Sequence, residues 1–249
     1  MSKTKKESIV INEIKSNLPK PTLVRENFGV YIDDINENLP RHNGTIWGIF
    51  GKGGSGKSSL FMSLFKSSKF LRGKFDEVHY IVPASSYSSL EKNPFSNHQN
   101  LHHELTAELL LKLHDDAIQR KNICLENGEE CEHTCIIIDD FGSSLKDHDI
   151  NYALKEIFNV ARHANLYIIL ICQTYRMIPL EIRRILTHCT IFKANNEEWR
   201  LIVEELLLMK KEEGKSIYNY VFDALYNHLT INMKDGTLRK NFNLLKINI

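Results

Sequence analysis

The octapeptide Gly51-Lys52-Gly53-Gly54-Ser55-Gly56-Lys57-Ser58 follows directly on the apolar, β-forming run Ile46 to Phe50 and fits G-x-x-x-x-G-K-[ST] without a gap. Small residues are needed there because a backbone that wraps phosphates must turn successive N–H groups inward, which glycine does without a Cβ penalty. Lys57 would reach the β and γ phosphates, and Ser58 would set its hydroxyl on Mg²⁺. The helix starting near Lys57 aims the positive end of its dipole at the same anion. The expected binding set is Gly51, Lys52, Gly53, Gly54, Ser55, Gly56, Lys57, Ser58 and Ser59, with ATP and Mg²⁺ as ligands. A plain glycine-rich turn is the alternative, and strand, loop and helix in register argue against it.

Downstream, apolar residues at Leu60, Phe61, Leu64 and Phe65 mark a helix over Ser58 to Ser68, and VHYIV (Val78 to Val82) reads as a strand closed by Pro83. Ala84 to Asn100, rich in Ser, Asn and His, reads as a long exposed loop on the nucleotide side of a sheet. Helical spacing returns from Glu104 to Gln119. Cys135 to Asp139 is a buried-strand pattern, Ile150 to His163 a helix, and Leu166 to Cys172 another apolar strand. Pro179 opens a short helix to Leu186, and Thr190 to Phe192 is a fifth strand. Strands alternating with helices predict a parallel sheet covered on both faces. The last third reads differently, as helices Glu197 to Lys211 and Lys215 to His228 separated by Gly214. A hairpin over Leu229 to Met233 and Leu238 to Ile247 then closes the chain.

TCIIIDDFG (Thr134 to Gly142) is an apolar strand ending in two acids. Asp139 at the tip can hold the Mg²⁺ shell through water, and Asp140 can reach the water that attacks the γ-phosphate. Successive side chains alternate in a strand, but where the chain turns at the strand's end both carboxylates can face the phosphates. VHYIV lies between the P-loop strand and the acidic strand and favours the additional-strand ATPases over the GTPase and nucleotide-kinase group. Gln173 ends YIILICQT; its carboxamide either positions the attacking water and reports the γ-phosphate, or caps the loop that follows.

The run from Arg162 to Asn196, RHANLYIILICQTYRMIPLEIRRILTHCTIFKANN, resembles the genome-packaging ATPases of poxviruses, other large DNA viruses and virophages, within the FtsK–HerA superfamily of P-loop NTPases. Gly51 to Ser58, Asp139, Asp140 and Gln173 match that superfamily's P-loop, acidic strand tip and glutamine strand, and the resemblance covers about residues 44 to 196. Many members carry Glu where this chain has Asp140. The resemblance implies a RecA-like additional-strand fold of α/β class and an ATP hydrolase that pumps double-stranded DNA. It implies a homo-oligomeric ring, hexameric or pentameric, at a capsid vertex or on capsid proteins, in host cytoplasm, a viral factory or the virion. Related motors of plasmid or cellular DNA, and a non-translocating ATP switch, are the alternatives. The superfamily also uses an inter-subunit arginine, for which Arg184, Arg183, Arg162 and Arg176 compete. Stripe positions Ile182, Ile185 and Leu186 turn Arg184 off the apolar face of the short helix and Arg183 to its flank.

Composition bounds the rest. A chain of 249 residues, 42% hydrophobic, can bury a real core, and a net charge of +1 leaves DNA binding to local patches or converging subunits. Five scattered cysteines fit a reducing compartment, and Cys124, Cys131, His133 and Cys135 lack the spacing of a zinc knuckle. No run approaches the roughly 18 apolar residues of a membrane span, and MSKTKKES lacks a signal peptide's apolar core. A soluble protein with no membrane partner is expected. Three regions follow: a mobile arm (1–24), a P-loop ATPase core (25–195), and a small C-terminal helical and hairpin appendage (196–249) packed on it.

Overall fold

The computed structural model describes residues 32, 34–88, 93–95 and 99–247. The expected arm, residues 25–31 of the expected core, and residues 89–92 and 96–98 of the expected loop lie outside the described residues. In chain order the strands are β1 (Ile46–Phe50), β2 (Glu77–Ile81), β3 (Leu101–His102), β4 (Thr134–Asp139), β5 (Leu166–Cys172), β6 (His188–Phe192), β7 (His228–Asn232), β8 (Leu238–Lys240) and β9 (Asn243–Leu244). The helices are α1 (Lys57–Lys66), α2 (Ala84–Ser88), α3 (Ala107–Asn127), α4 (His148–Val160), α5 (Leu180–Arg183), α6 (Asn196–Ile202) and α7 (Lys211–Val221).

All nine of these strands join one sheet, ordered β3-β2-β4-β5-β1-β6-β7-β8-β9. Pairing is parallel from β3 through β6 and antiparallel from β6 to β9. Strands β1, β4, β5 and β6 are buried along their whole length, as expected for strands covered on both faces. Alternation divides them cleanly. Ile46, Phe50, Ile136, Ile138, Ile168 and Leu170 pack with α3, α4, α6 and α7. Trp47, Ile49, Cys135, Ile137, Ile169 and Ile171 pack on the other face with α1 and the segment around Ile35 and Leu39.

The helix ends follow local chemistry. The Thr106 hydroxyl accepts from the Leu109 N–H at 3.1 Å to start α3, which ends at Gly128 in the left-handed region at φ 67°. This helix runs well past the expected Gln119. The Asp147 carboxylate accepts from the Asp149 and Ile150 N–H groups to start α4, and the Asn195 side chain accepts from Glu198 N–H to start α6.

The structure revises several expectations. VHYIV becomes β2, but it flanks β4 on its outer side; the strand that separates the P-loop strand from the acidic strand in space is β5. The C-terminal hairpin extends the sheet itself, because β7 pairs along the whole of β6. A buried polar chain anchors it: the Trp47 indole N–H donates to Thr190 Oγ1 at 2.9 Å, and the Thr190 and Thr230 hydroxyls meet at 2.8 Å. Gly214 does not separate helices but lies inside α7, where a Cβ would come within 2.6 Å of Val203 Cγ2. Its carbonyl accepts from the Trp199 indole at 3.1 Å. The break falls at Leu208, at φ 52°, after a π-helical turn over Val203–Leu207.

Candidate nucleotide site

The backbone leaves β1 through a gap that admits only glycine at its first position: a Cβ on Gly51 would lie 2.6 Å from Ser55 Oγ and 2.7 Å from Phe192 Cβ. Gly56 enters α1 at φ 103°, and no side chain caps that end. No acidic residue stands in the first turn of α1 either, so its N-terminal N–H groups are left for an anion. Ser55 Oγ is buried with no hydrogen-bond partner. The cradle therefore fits a polyphosphate: small residues line it, its backbone donors are free of a protein cap, and an unsatisfied hydroxyl lies inside. Lys57 Nζ donates to the Gly51 carbonyl and, at 3.2 Å, to the Lys52 carbonyl. Burial lowers its pKa, while Asp139 and Asp140 act in the opposite direction. Ser58 is half-buried and Ser59 exposed in the first turn of α1.

Asp139 ends β4 and is 6% exposed. Its carboxylate accepts from the Tyr80 hydroxyl of β2 at 3.1 Å. Burial pushes the Asp139 carboxyl up to about 6, and the neighbouring Asp140 adds to this; the Tyr80 hydrogen bond and the Lys57 ammonium pull it down. Asp140 takes the left-handed region at φ 61°, which Asp tolerates better than most residues, with its N–H on the Ile171 carbonyl at 3.0 Å. That is the turn at the strand's end. Its two carboxylate oxygens are held separately: Oδ2 accepts from Ser86 Oγ at 2.8 Å and Oδ1 from Gln173 Nε2 at 3.2 Å. Gln173 is thus tied to an acid rather than to the loop that follows it. Sequence reasoning missed Tyr80 and Ser86. Tyr80 lay inside a strand read only as apolar, and Ser86 was one of several serines in a segment read as solvent-facing.

The four arginines separate. Arg183 is largely enclosed: its side chain is 13% exposed, bridges Glu205 at 3.4 Å and lies 5.0 Å over the Tyr175 ring. The same Glu205 accepts from the Tyr175 hydroxyl, so Arg183 belongs to an internal cluster linking α5 to the π-helical turn. Arg184 is exposed at the end of α5, Arg162 is exposed just before β5, and Arg176 is exposed beside Glu197. Arg239 and Lys240 are also committed internally. Arg239 donates to Asn38 Oδ1 and the Phe242 carbonyl, and Lys240 donates to the Tyr220 carbonyl and Asp223.

Cys124 and Cys131 form a disulfide, with Cα atoms 5.4 Å apart, across the left-handed turn at Gly128. Cys135, Cys172 and Cys189 are free and buried. Among the described residues no helix is long and apolar enough to cross a membrane.

The P-loop, the acidic strand two places away and the glutamine strand between them define the P-loop NTPase fold of the additional-strand type. The chain belongs to the family described as Poxvirus A32 protein, which matches residues 37–228. Relatives include the DNA packaging protein OPG160 of variola virus and of vaccinia virus (strain Western Reserve). Each is 30% identical over 168 residues, 67% of this chain, and the match spans 58% of the relative's length. In structure the chain is similar to the genome packaging NTPase B204 from Sulfolobus turreted icosahedral virus 2 in complex with AMPPCP, with a TM-score of 0.52 at 19% identity. That match covers 83% of this chain and 100% of the other. EssC (ATPases 2 and 3) from Geobacillus thermodenitrificans superposes with a TM-score of 0.57 at 15% identity, covering 81% of this chain and 40% of that one. The structural likenesses bear on the fold.

The Asp139 environment leads to a stability prediction. Its folded carboxyl ionises near 6 and an unfolded one near 3.8, so the folded state binds more protons between those values and stability falls as pH rises through that window. Asp139→Asn removes the burial cost of the charge. The ligand-free variant is expected to be more stable than the parent at pH 7 by on the order of 2 kcal/mol, with the difference vanishing near pH 4. Urea midpoints at the two pH values check this, and a variant no more stable at pH 7 contradicts it.

Proposed function

We propose that the chain is the ATP-hydrolysing motor that moves double-stranded viral DNA into a preformed capsid. The observation that carries this reading is the pairing of a complete phosphate cradle with an acid, Asp140, held on one oxygen by Ser86 and on the other by Gln173. Family membership and relatives named DNA packaging protein support the DNA and capsid parts of it.

In this reading the loop from Gly51 to Gly56 holds the phosphates with its N–H groups, and Lys57 gives up its carbonyl partners to reach them. Ser58 and Asp139 would hold Mg²⁺, which supplies charge neutralisation at the phosphate oxygens. Asp140 takes the proton of the attacking water, and Gln173, sharing a hydrogen bond with Asp140, fixes where that water stands. Ser86 keeps the second carboxylate oxygen from rotating away. An exposed arginine of the adjacent subunit completes neutralisation, with Arg184 first and Arg162 next among the candidates. A ring of subunits also answers the charge problem, because a chain of net charge +1 has no global basic field and converging copies of one surface can neutralise many duplex phosphates at once.

Two outcomes are expected. Lys57→Ala should fold and lose ATP turnover, whereas Asp140→Asn should still bind ATP while hydrolysis falls by roughly 10² to 10⁴. Duplex DNA should stimulate the parent protein but neither variant. Unchanged hydrolysis in folded Lys57→Ala would remove the ATPase assignment.

Arg184→Ala should bind ATP normally and lose roughly 10³ to 10⁵ in rate. Mixed with Lys57→Ala subunits it should regain hydrolysis, because those subunits still present Arg184 to an intact neighbouring pocket. Mixed rings that form without regaining activity would shift the role away from Arg184.

A further inference from the structure

The sheet order dictates which way a nucleotide must lie on this P-loop. Asp139, Asp140 and Gln173 stand at the tips of β4 and β5, on one side of β1, while β6 and β7 lie on the other. A terminal phosphate turned toward the acids sends the rest of the nucleotide toward the tips of β6 and β7. Because β7 is antiparallel to β6, its first residue, His228, pairs with Phe192, the last residue of β6, at the same edge of the sheet as the P-loop. The segment that enters β7 is therefore delivered to the side of the P-loop away from the acids.

That segment carries Tyr226. Its ring packs on the P-loop: a Cβ on Gly56 would lie 3.0 Å from Tyr226 Cδ1 and 3.4 Å from Phe192 Cε1. Tyr226 is nonetheless 66% exposed, so the ring presents surface that the protein does not cover. Its backbone sits in the left-handed region at φ 65°, a costly conformation for a bulky side chain that persists only where surrounding contacts impose it. Those contacts are present. Asn227 Nδ2 donates to Asp223 Oδ1 at 2.7 Å, Asn241 Nδ2 donates to Asn227 Oδ1 at 2.7 Å, and Lys240 holds Asp223. His228, which follows, packs against Phe192 at 5.3 Å and Phe242 at 4.9 Å between ring centroids. An aromatic ring thus lies against the last P-loop glycine, on a segment tied down by its neighbours, with much of its surface open to solvent.

We propose that Tyr226 is the platform on which the base of the bound nucleoside triphosphate stacks, a binding subsite contributed by the C-terminal third of the chain. Stacking on an aromatic ring recognises a base by its π-face and leaves the phosphates untouched. The inference rests on the nucleotide reading of the P-loop, and the test separates the two.

Affinities for ATP and for inorganic tripolyphosphate are measured by titration calorimetry on the full chain, as the parent, Tyr226→Asn, Tyr226→Phe and Lys57→Ala. Asn is chosen because it tolerates the left-handed backbone while removing the ring. ATP affinity is expected to fall roughly ten-fold in Tyr226→Asn and to stay at the parent value in Tyr226→Phe, with tripolyphosphate affinity the same in all three. Tyr226→Asn binding ATP as tightly as the parent would overturn the proposal. So would an equal loss for ATP and tripolyphosphate, which would make Tyr226 a support of the loop rather than a base platform. A parent protein that binds tripolyphosphate no better than Lys57→Ala would overturn the nucleotide reading itself, and the base platform with it.

Discussion

A strand whose last peptide has no room for a Cβ sets where everything else in this site can stand. Gly51 is wedged between Ser55 and the β6 residue Phe192, so the P-loop is seated on the tip of the sheet rather than hanging free of it. From that contact the geometry propagates in both directions. Toward β5 and β4 lie the strand tips that carry Gln173 and the two acids; toward β6 and β7 the loop meets Phe192 and Tyr226. Parallel strands buried on both faces keep these tips in fixed register, since slipping any one of them by a residue would exchange its two sets of core side chains.

The acids show how differently one dipeptide can be treated by its surroundings. Asp139 is buried and raised to about 6 with one hydroxyl partner, a costly place for a carboxylate in a protein without ligand. Asp140, one residue on, is exposed and fixed by two side-chain donors in a left-handed turn. Such a division suits the metal anchor and the general base proposed for them. Stability lost at Asp139 is the kind of local sacrifice expected where binding, not folding, selects the residue.

Much of this was legible before any coordinates. The glycine spacing marks the loop, unbroken apolar runs mark β1, β4 and β5, and the acid and glutamine at strand ends mark the edge proposed to be catalytic. What was not legible depends on pairing between distant segments. Whether VHYIV or YIILIC lies between the P-loop and the acids is a matter of strand order, which periodicity does not encode. The same limit hid the joining of β7 to β6, and with it the approach of Tyr226 to Gly56. Arg183 looked like a flank residue on a helical wheel, but the wheel does not show Tyr175 and Glu205 arriving from elsewhere to enclose it. Gly214 looked like punctuation and is instead a close-packing site against Val203.

Hydrolysis alone does not separate a motor from a switch, so the most direct test is movement along DNA. The assay is displacement of a third strand from a triplex-bearing duplex by assembled protein with ATP and Mg²⁺, read by gel. A packaging motor built on this site should displace the strand with ATP and fail to do so with a non-hydrolysable analogue or with Asp140→Asn subunits. Robust DNA-stimulated hydrolysis by assembled protein with no third strand displaced would contradict the motor and leave a switch that spends ATP without travelling.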